Sequence, residues 1–259
     1  MKKVISGLII ITVCGILACN KQTTLPDNYI PVTGEHTSIK FLQLSPGAPA
    51  LNFYVNGLKS TAVLTLTGAT KVLGLTYPSL FPATIGYATL PPGSLKIEAK
   101  VTDSSTVMPG AILLTATQAF DAKKFYTFAL VDTFTKISYV AVEDDPTIPD
   151  DTKSYLRVAN FIADSAINVV ITKTSSDYPY SKTYTKVAPK TVLAFDSLGA
   201  GTGQIYKIEL KRASNNATLV TLINFTPSKT KKYTFFARGL MRLPVGNTSG
   251  PGVSFYTNF

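Results

Sequence analysis

Cys19 stands where its thiol could act as a nucleophile for covalent modification. It directly follows Ala18, the end of an almost uncharged stretch that begins at Val4, and Lys2 and Lys3 precede that stretch. A basic start followed by an apolar segment is typical of an export signal. The apolar stretch is about 15 residues long, whereas a membrane-spanning helix needs roughly 20. The pattern therefore predicts a removable signal that ends beside a reactive thiol.

The segment 16–19, Ile-Leu-Ala-Cys, resembles a bacterial lipobox. The resemblance implies that residues 1–18 are a signal peptide cut after Ala18, and that Cys19 carries lipid inserted in a bilayer. Each buried methylene contributes about 0.8 kcal/mol, so several acyl chains would make the attachment permanent. Asn20 stands where aspartate would suggest inner-membrane retention, which favours the outer membrane. An uncleaved N-terminal helix and a secretory signal cut elsewhere are the alternatives.

Carboxylates are concentrated in one short segment, residues 143–152, which also contains two prolines. The segment holds five of the chain's 15 acidic residues: Glu143, Asp144, Asp145, Asp150 and Asp151. Calcium takes six to eight oxygen ligands, and carboxylates supply them. These five residues are therefore the candidate calcium ligands, although a solvated charge run is the simpler interpretation. The prolines and the charge also predict a linker between domains.

Two further sets of residues are candidates for binding or modification. Tyr178 and Tyr180 flank a proline in a predicted loop, and exposed tyrosines stack on sugars or anchor protein contacts. Ser165 and Ser197 each follow an aspartate and precede an aliphatic residue, which resembles the O-glycosylation acceptor of some Bacteroidota. Packing in a core is the alternative for the tyrosines, and chance is the alternative for the triplets.

Residues for catalysis are scarce. His36 is the only histidine, and no cysteine follows Cys19, so a histidine-dependent triad or a zinc site lacks its ligands. The glycines 199, 201 and 203 alternate as in a phosphate-binding loop, but the segment after them predicts a strand instead of a helix. They predict a hairpin turn. We expect no enzyme activity and no cofactor, apart from the calcium considered above.

The chain is formally +10, of which Lys2 and Lys3 contribute two. The lysines are scattered along strand-like segments and do not form a stripe, which argues against a nucleic-acid partner. A solvated basic surface is the simplest interpretation. Attraction to anionic surfaces, such as acidic glycans or lipid headgroups, is the functional one.

Strands must position all of these residues, because helical periodicity is nearly absent. In the segment 94–101, Leu95, Ile97, Ala99 and Val101 alternate with polar residues, which predicts a half-buried strand. The stretch KIEAK at 96–100 returns as KIELK at 207–211.

Other short segments also recur about 110 residues later, in the same order. The segment 39–41 corresponds to 156–158, and 126–128 corresponds to 233–235. This indicates a duplicated module with seven or more short strands per copy, as in an immunoglobulin-like sandwich. An eight-stranded barrel per repeat is the structural alternative.

The predicted organisation is all-β, with two tandem immunoglobulin-like antiparallel β-sandwiches behind a signal peptide and a flexible tether. Its parts are the signal peptide 1–18, the lipidated tether 19–37, the first module 38–142, the linker 143–152 and the second, diverged module 153–259.

The segment 38–57, SIKFLQLSPGAPALNFYVNG, resembles the start of the family called domain of unknown function 4397. It has a basic residue in a first strand, Lys40, then a Ser-Pro-x-Ala-Pro loop at 45–49 and an Asn-Gly turn at 56–57. The second module fits less well, because 154–171 lacks the loop prolines and the glycine turn. The resemblance implies immunoglobulin-like modules of envelope proteins and transfers no catalytic residue.

We therefore expect a noncatalytic, membrane-anchored envelope lipoprotein that acts in surface adhesion, scaffolding or complex assembly. The alternative is a glycan-binding accessory lipoprotein of a polysaccharide uptake system. The expected partners are the lipid bilayer and an unidentified protein or glycan.

Overall fold

The computed structural model describes residues 34–61, 63–64, 72–83, 85–175 and 179–259, and these residues form two all-β modules. The only helical element among them is one short 3-10 turn. Each module consists of two stacked sheets, so the predicted pair of tandem immunoglobulin-like sandwiches is confirmed.

The first module is built from an inner sheet, an outer sheet and a separate two-stranded ribbon. Its strands are β1 (Thr37–Gln43), β2 (Leu51–Val55), β3 (Leu58–Lys59), β4 (Val63–Leu64), β5 (Val72–Leu73), β6 (Ser79–Phe81), β7 (Ala88–Leu90), β8 (Gly93–Val101), β9 (Ile112–Phe120), β10 (Phe125–Val131) and β11 (Ser138–Glu143). The first inner sheet has the order β11-β10-β1-β6, and β7 also pairs with β1. The first outer sheet has the order β3-β2-β8-β9, while β4 and β5 form the ribbon.

The second module repeats this plan. Its strands are β12 (Lys153–Ile162), β13 (Ile167–Lys173), β14 (Ser181–Val187), β15 (Thr191–Val192), β16 (Asp196–Gly199), β17 (Tyr206–Arg212), β18 (Thr218–Phe225), β19 (Lys232–Gly239) and β20 (Gly252–Thr257). The second inner sheet has the order β15-β12-β19-β20, and β16 also pairs with β12. The second outer sheet has the order β14-β13-β17-β18.

Alternation places one face of each outer sheet in a core. Along β8, Leu95, Ile97, Ala99 and Val101 are at most 2% exposed. Along β17, Tyr206, Ile208 and Leu210 are buried in the same way. The strands predicted from the KIEAK and KIELK repeats are therefore confirmed, and their charged residues lie on the outward faces.

Parallel pairing inside each inner sheet is the one departure from the predicted antiparallel sandwiches. β1 runs parallel to β10, and β12 runs parallel to β19. These partners are far apart in the chain, so no hairpin constrains their direction. Every other pairing is antiparallel within the described residues.

The glycine run 199–203 is not a hairpin turn, contrary to the prediction. It connects β16, in the second inner sheet, to β17, in the second outer sheet. Gly201 and Gly203 have φ values of +95° and +76°, which L side chains rarely adopt. The turn therefore carries the chain across the sandwich, as the connection from β7 to β8 does in the first module.

Both modules contain a tyrosine that fixes the turn before a core strand. Tyr126 in β10 accepts a hydrogen bond from the Asp121 N–H at 3.1 Å, and Tyr233 in β19 accepts one from the Ser228 N–H at 3.1 Å. In each case the donor lies five residues upstream. A tyrosine hydroxyl that bonds to the backbone shortly before its strand is a hallmark of immunoglobulin-like folds.

A third apolar core joins the two modules. It combines Leu42, Ala129 and Val131 of the first inner sheet, and Leu44 just after β1, with Ala159, Phe161, Phe236 and Tyr256 of the second inner sheet. The opposite faces of the same strands pack on their own outer sheets. The layer order is therefore outer, inner, inner, outer, and β1 and β12 are buried on both faces.

Candidate functional site

The contact between the inner sheets contains polar residues at equivalent positions of the two modules. The register pairs Lys40 on β1 with Thr127 on β10, and it pairs Arg157 on β12 with Thr234 on β19. All four residues are at most 2% exposed. The repeat detected in the sequence therefore brings two basic residues and two threonines to one buried surface, which we call the junction.

Each module adds one more polar residue to the junction, directly after its last strand. Asp144 follows β11 and its N–H donates to the Phe125 carbonyl at 2.7 Å, while Asn258 follows β20 and its N–H donates to the Lys232 carbonyl at 2.8 Å. Thr127 Oγ1 donates to the Asp144 carboxylate at 2.6 Å, and Thr234 Oγ1 donates to the side-chain oxygen Oδ1 of Asn258 at 2.7 Å. Asp144 and Asn258 are thus structural equivalents.

Hydrogen bonds cross from one module to the other at this point. Arg157 forms a close ion pair with Asp144, and its Nε donates to Thr234 Oγ1 at 2.9 Å. Tyr87 donates to Asp144 at 2.8 Å and accepts a bond from the Asn258 amide at 3.0 Å. These contacts form one continuous network.

Two tyrosines shield this network from water. The Tyr256 hydroxyl lies 2.9 Å from Thr127 Oγ1, and the Tyr87 ring stacks on Phe259 with centroids 5.5 Å apart. Burial and the Asp144 charge raise the pKa of Tyr256 and of Tyr87. Burial alone would lower the pKa of Arg157, but Tyr256 and Asp144 outweigh it and raise that pKa. Arg157 therefore stays cationic, and both tyrosines stay neutral.

Lys40 lies at the opposite side of the network. Its Nζ donates to the Pro82 carbonyl at 3.3 Å and lies 5.2 Å and 5.5 Å from the ring centroids of Tyr87 and Tyr256. Burial lowers the pKa of Lys40 to about 8, against the attraction of Asp144. Two cations therefore meet one carboxylate in the junction, and the tyrosine faces provide further negative potential.

A surface cavity of about 380 Å³ lies at the rim of the junction. Lys232 and Arg157 both lie 4.6 Å from the centroid of the Phe195 ring in its wall. Lys232 Nζ donates to the Asp145 carbonyl at 2.6 Å, and burial lowers the pKa of Lys232. The side chains of Arg157 and Lys232 are only 3% and 2% exposed, so the cavity presents little positive charge to an anion in solution.

Four of the five residues predicted as calcium ligands have separate basic partners. Asp144 lies in the junction, Glu143 forms an ion pair with Lys124 at 3.0 Å, and Asp150 forms one with Lys153 at 3.3 Å. Asp145 lies 3.4 Å from Lys232, and Asp151 is exposed. No group of three or more His, Cys, Asp or Glu that could hold a metal occurs among the described residues. The calcium site stays a prediction without structural support.

The predicted ligand-binding and modification residues lie apart from the junction. The Tyr180 ring contacts Tyr206 edge-on, with centroids 5.9 Å apart, and Tyr178 lies outside the described residues. Ser165 is half-buried and donates to the Ala166 carbonyl at 3.0 Å, whereas Ser197 is exposed on β16. Glycosylation of either serine stays a prediction.

The predicted lipid attachment also lies outside the described residues, since Cys19 and Ala18 belong to the range 1–33. In the part of the chain that the structure describes, no helix has the length and apolar character needed to cross a membrane.

The family model described as "Domain of unknown function (DUF4397)" matches residues 37–172, more than half of the chain. The chain belongs to this family. The match covers the first module, the segment 143–152, β12 and nearly all of β13. The match therefore extends beyond the boundary between the modules and includes both Lys40 and Arg157 of the junction.

No curated protein matches the chain. Among solved structures, one match is described as "a putative adhesin from Bacteroides ovatus", with 10% sequence identity and a TM-score of 0.23 over 85% of this chain and 93% of that one.

Sequence reasoning missed the junction, although a signal for it is present. β12 does not alternate between apolar and polar residues, and β1 alternates only over residues 38–41. Each strand carries a basic residue opposite a threonine of the repeated segment 126–128 or 233–235. A strand buried on both faces loses its alternation. A charged residue repeated within such a strand points to a buried contact.

Proposed function

We propose that this protein is a noncatalytic, lipid-anchored envelope lipoprotein in which two fused β-sandwiches form one rigid body for adhesion, scaffolding or complex assembly. The observation that carries the proposal is the junction. It combines a third apolar core with a buried hydrogen-bond network, and both contain residues of the two modules.

Rigidity follows from the contents of the junction. Contacts between domains of one chain are commonly polar and permit relative motion. Here Asp144 is fully buried and accepts bonds from both modules, so a hinge motion would leave a charge without its partner. A rigid body of this kind holds its two ends at a fixed distance and orientation, as an adhesin or scaffold requires.

The N-terminal residues supply the membrane attachment in this proposal. Lipid on Cys19 holds the chain in the outer membrane, and residues 19–36 act as a tether, because Thr37 already belongs to β1. Fully extended, such a tether spans on the order of 60 Å. It separates the rigid body from the membrane surface.

The anchor is tested by membrane fractionation of cells that express the full chain with Cys19→Ala. Cys14→Ala is the matched control, because it removes the other thiol of the same segment. We expect the Cys19 variant to leave the membrane fraction and the Cys14 variant to stay in it. Retention of the Cys19 variant would contradict the anchor.

The location is tested by adding protease to intact cells. Digestion of the unmodified chain supports the display that adhesion requires. Full protection, with digestion only after cell lysis, would contradict surface adhesion.

A further inference from the structure

The two outer sheets present the same charge pattern to solvent. On the first, Lys96, Glu98 and Lys100 of β8 point away from the core. On the second, Lys207, Glu209 and Lys211 of β17 do the same. We call these surfaces the first and second end faces.

Hydroxyl groups lie beside both charge rows. In the first end face, Thr117 is opposite Lys96 and Thr115 is opposite Glu98. In the second, Thr221 is opposite Glu209 and Thr218 is opposite Lys211. Each end face therefore presents ammonium and hydroxyl groups, together with one exposed isoleucine on the neighbouring strand, Ile112 on β9 and Ile223 on β18.

The cations of the first end face are more accessible than its carboxylate. Lys96 lies 2.6 Å from Glu98, with its side chain 53% exposed against 15% for the glutamate. On the second end face, Lys207 is 3.2 Å from Glu209, and the exposed fractions are 37% and 16%. Lys96 and Lys207 are therefore more accessible to an anion than the glutamates with which they pair. Lys211 is 19% exposed and lies 3.9 Å from Glu209, and Lys100 lies 4.0 Å from the exposed Asp103.

The layer order places the end faces on opposite sides of the molecule. The two inner sheets lie between them and contact each other through the junction. Stacked sheets are about 10 Å apart, so roughly 30 Å separates the two outer sheets.

We propose that each end face binds an acidic polysaccharide, so that one molecule bridges two polysaccharide chains. This rests on the proposed adhesive function and names its partner. Four residues of strand span about 13 Å, so Lys96 and Lys100, on either side of Glu98, present two ammonium groups along one line to the repeated carboxylates or sulfates of such a chain. The neighbouring threonines provide donors and acceptors for sugar hydroxyls.

The end faces differ at one equivalent position. Tyr54 lies opposite Glu98 on the first, with Lys100 Nζ 5.7 Å from its ring centroid, whereas Val170 lies opposite Glu209 on the second. An aromatic ring adds a stacking surface for a sugar. The first end face therefore binds more tightly.

The binding test uses the full chain with dextran sulfate and polygalacturonate as probes and neutral dextran as the reference. The variant Lys96→Gln/Lys100→Gln/Lys207→Gln/Lys211→Gln should bind both acidic probes at least about tenfold more weakly, because surface charge steers such contacts. Circular dichroism and thermal unfolding verify that the variant is folded.

The control variant is Lys136→Gln/Lys229→Gln, whose two exposed lysines lie outside both end faces. It is compared with the two-lysine variants, in which the lysines of one end face are replaced: Lys96→Gln/Lys100→Gln or Lys207→Gln/Lys211→Gln. The control should change affinity by less than about twofold. Equal weakening in control and end-face variants would mean that net charge alone attracts the probe. Unchanged affinity in the four-lysine variant would also overturn the proposal.

Bridging is measured by the turbidity of mixtures with long dextran sulfate chains. The unmodified chain should cross-link them, and either two-lysine variant should bind without cross-linking. Persistent cross-linking by a two-lysine variant would contradict the assignment of one binding surface to each end. These solution measurements do not depend on the anchor, so they fail or succeed separately from the fractionation of Cys19→Ala.

Discussion

The two modules place different residues at the one position that closes the junction. Asp144 follows the last strand of the first module, and Asn258 follows that of the second. Each accepts from the equivalent threonine, so the backbone and hydrogen-bond geometry are shared. Only the charge differs. The comparison teaches that two copies with the same hydrogen-bond geometry make a specific contact because one of them carries a carboxylate that pairs with the base of the other.

The basic residues differ in a matching way. The second module uses Arg157, whose guanidinium reaches Asp144 and Thr234 together, and the first uses Lys40, which lies over two tyrosine rings. A guanidinium has several donors in a fixed plane, whereas an ammonium is a point charge. The ion pair across the junction therefore joins an acid of the first module, Asp144, to a base of the second, Arg157.

The largest expected effect comes from making the two closing positions alike. Asp144→Asn should lower the free energy of unfolding by about 3 to 5 kcal/mol, because it leaves Arg157 buried without its counter-ion. Urea denaturation measures the loss. The matched control is Asp151→Asn at an exposed site, which should change stability by less than about 0.5 kcal/mol. A loss below about 1 kcal/mol for Asp144→Asn would contradict the role given to the ion pair.

Removing the hydroxyl that touches both closing residues should have a smaller effect. Tyr87→Phe should lower the free energy of unfolding by about 1 to 3 kcal/mol, because the Asn258 amide loses its acceptor and Asp144 loses a donor. The same denaturation experiment applies. Tyr54→Phe, on the first end face, is the control and should be nearly neutral. An equal loss of unfolding free energy in Tyr87→Phe and Tyr54→Phe would contradict the stabilising role given to the Tyr87 hydroxyl in the junction.

The tyrosines before the core strands test whether the modules are equivalent away from the junction. Tyr126→Phe and Tyr233→Phe each remove one hydrogen bond to a turn, at the same length of 3.1 Å. Each should cost about 1 kcal/mol. Thermal unfolding compares them. A difference of more than about 1 kcal/mol between them would show that the modules have diverged in their turns as well.

The smallest expected effect is a pH dependence that belongs to Lys40. Its pKa is about 8 in the folded chain and near the ordinary 10.5 when unfolded, so the unfolded chain binds more protons between these values. Its contribution to stability is therefore lost below about pH 8 and increases as the pH rises above it. The free energy of unfolding of the unmodified chain, minus that of Lys40→Met, should rise by about 1 kcal/mol from pH 8 to 9.

Stability curves at several pH values measure this difference. The range ends below pH 10 because the raised pKa values of Tyr87 and Tyr256 act in the opposite direction there. A difference that stays constant or falls across the range would contradict the lowered pKa of Lys40.

The sequence predicted the parts of the fold that depend on local pattern. The alternation in 94–101 and its repeat in 206–211 specified two half-buried strands, and the repeated segments 39–41 and 126–128 specified the duplication. These predictions succeed because a period of two follows directly from strand geometry.

The junction could not be read in the same way, because its partners come from distant segments. Asp144 sits in a run of acidic residues, where most charges are solvated, and Asn258 lies in a polar C-terminal segment. Nothing local distinguishes Asp144 from Asp145, yet one is fully buried and the side chain of the other is 63% exposed. Their difference arises from the second module packing against the first.

The aromatic contact of Phe259 with Tyr87 and Phe125 makes the junction depend on the last residues of the second module. Tyr256 lies 2.9 Å from Thr127 Oγ1, and the Asn258 amide donates to the Tyr87 hydroxyl. A chain that lacks residues 256–259 would leave Thr127 and Tyr87 of the first module without these partners. Loss of four residues from the second module would therefore loosen its attachment to the first.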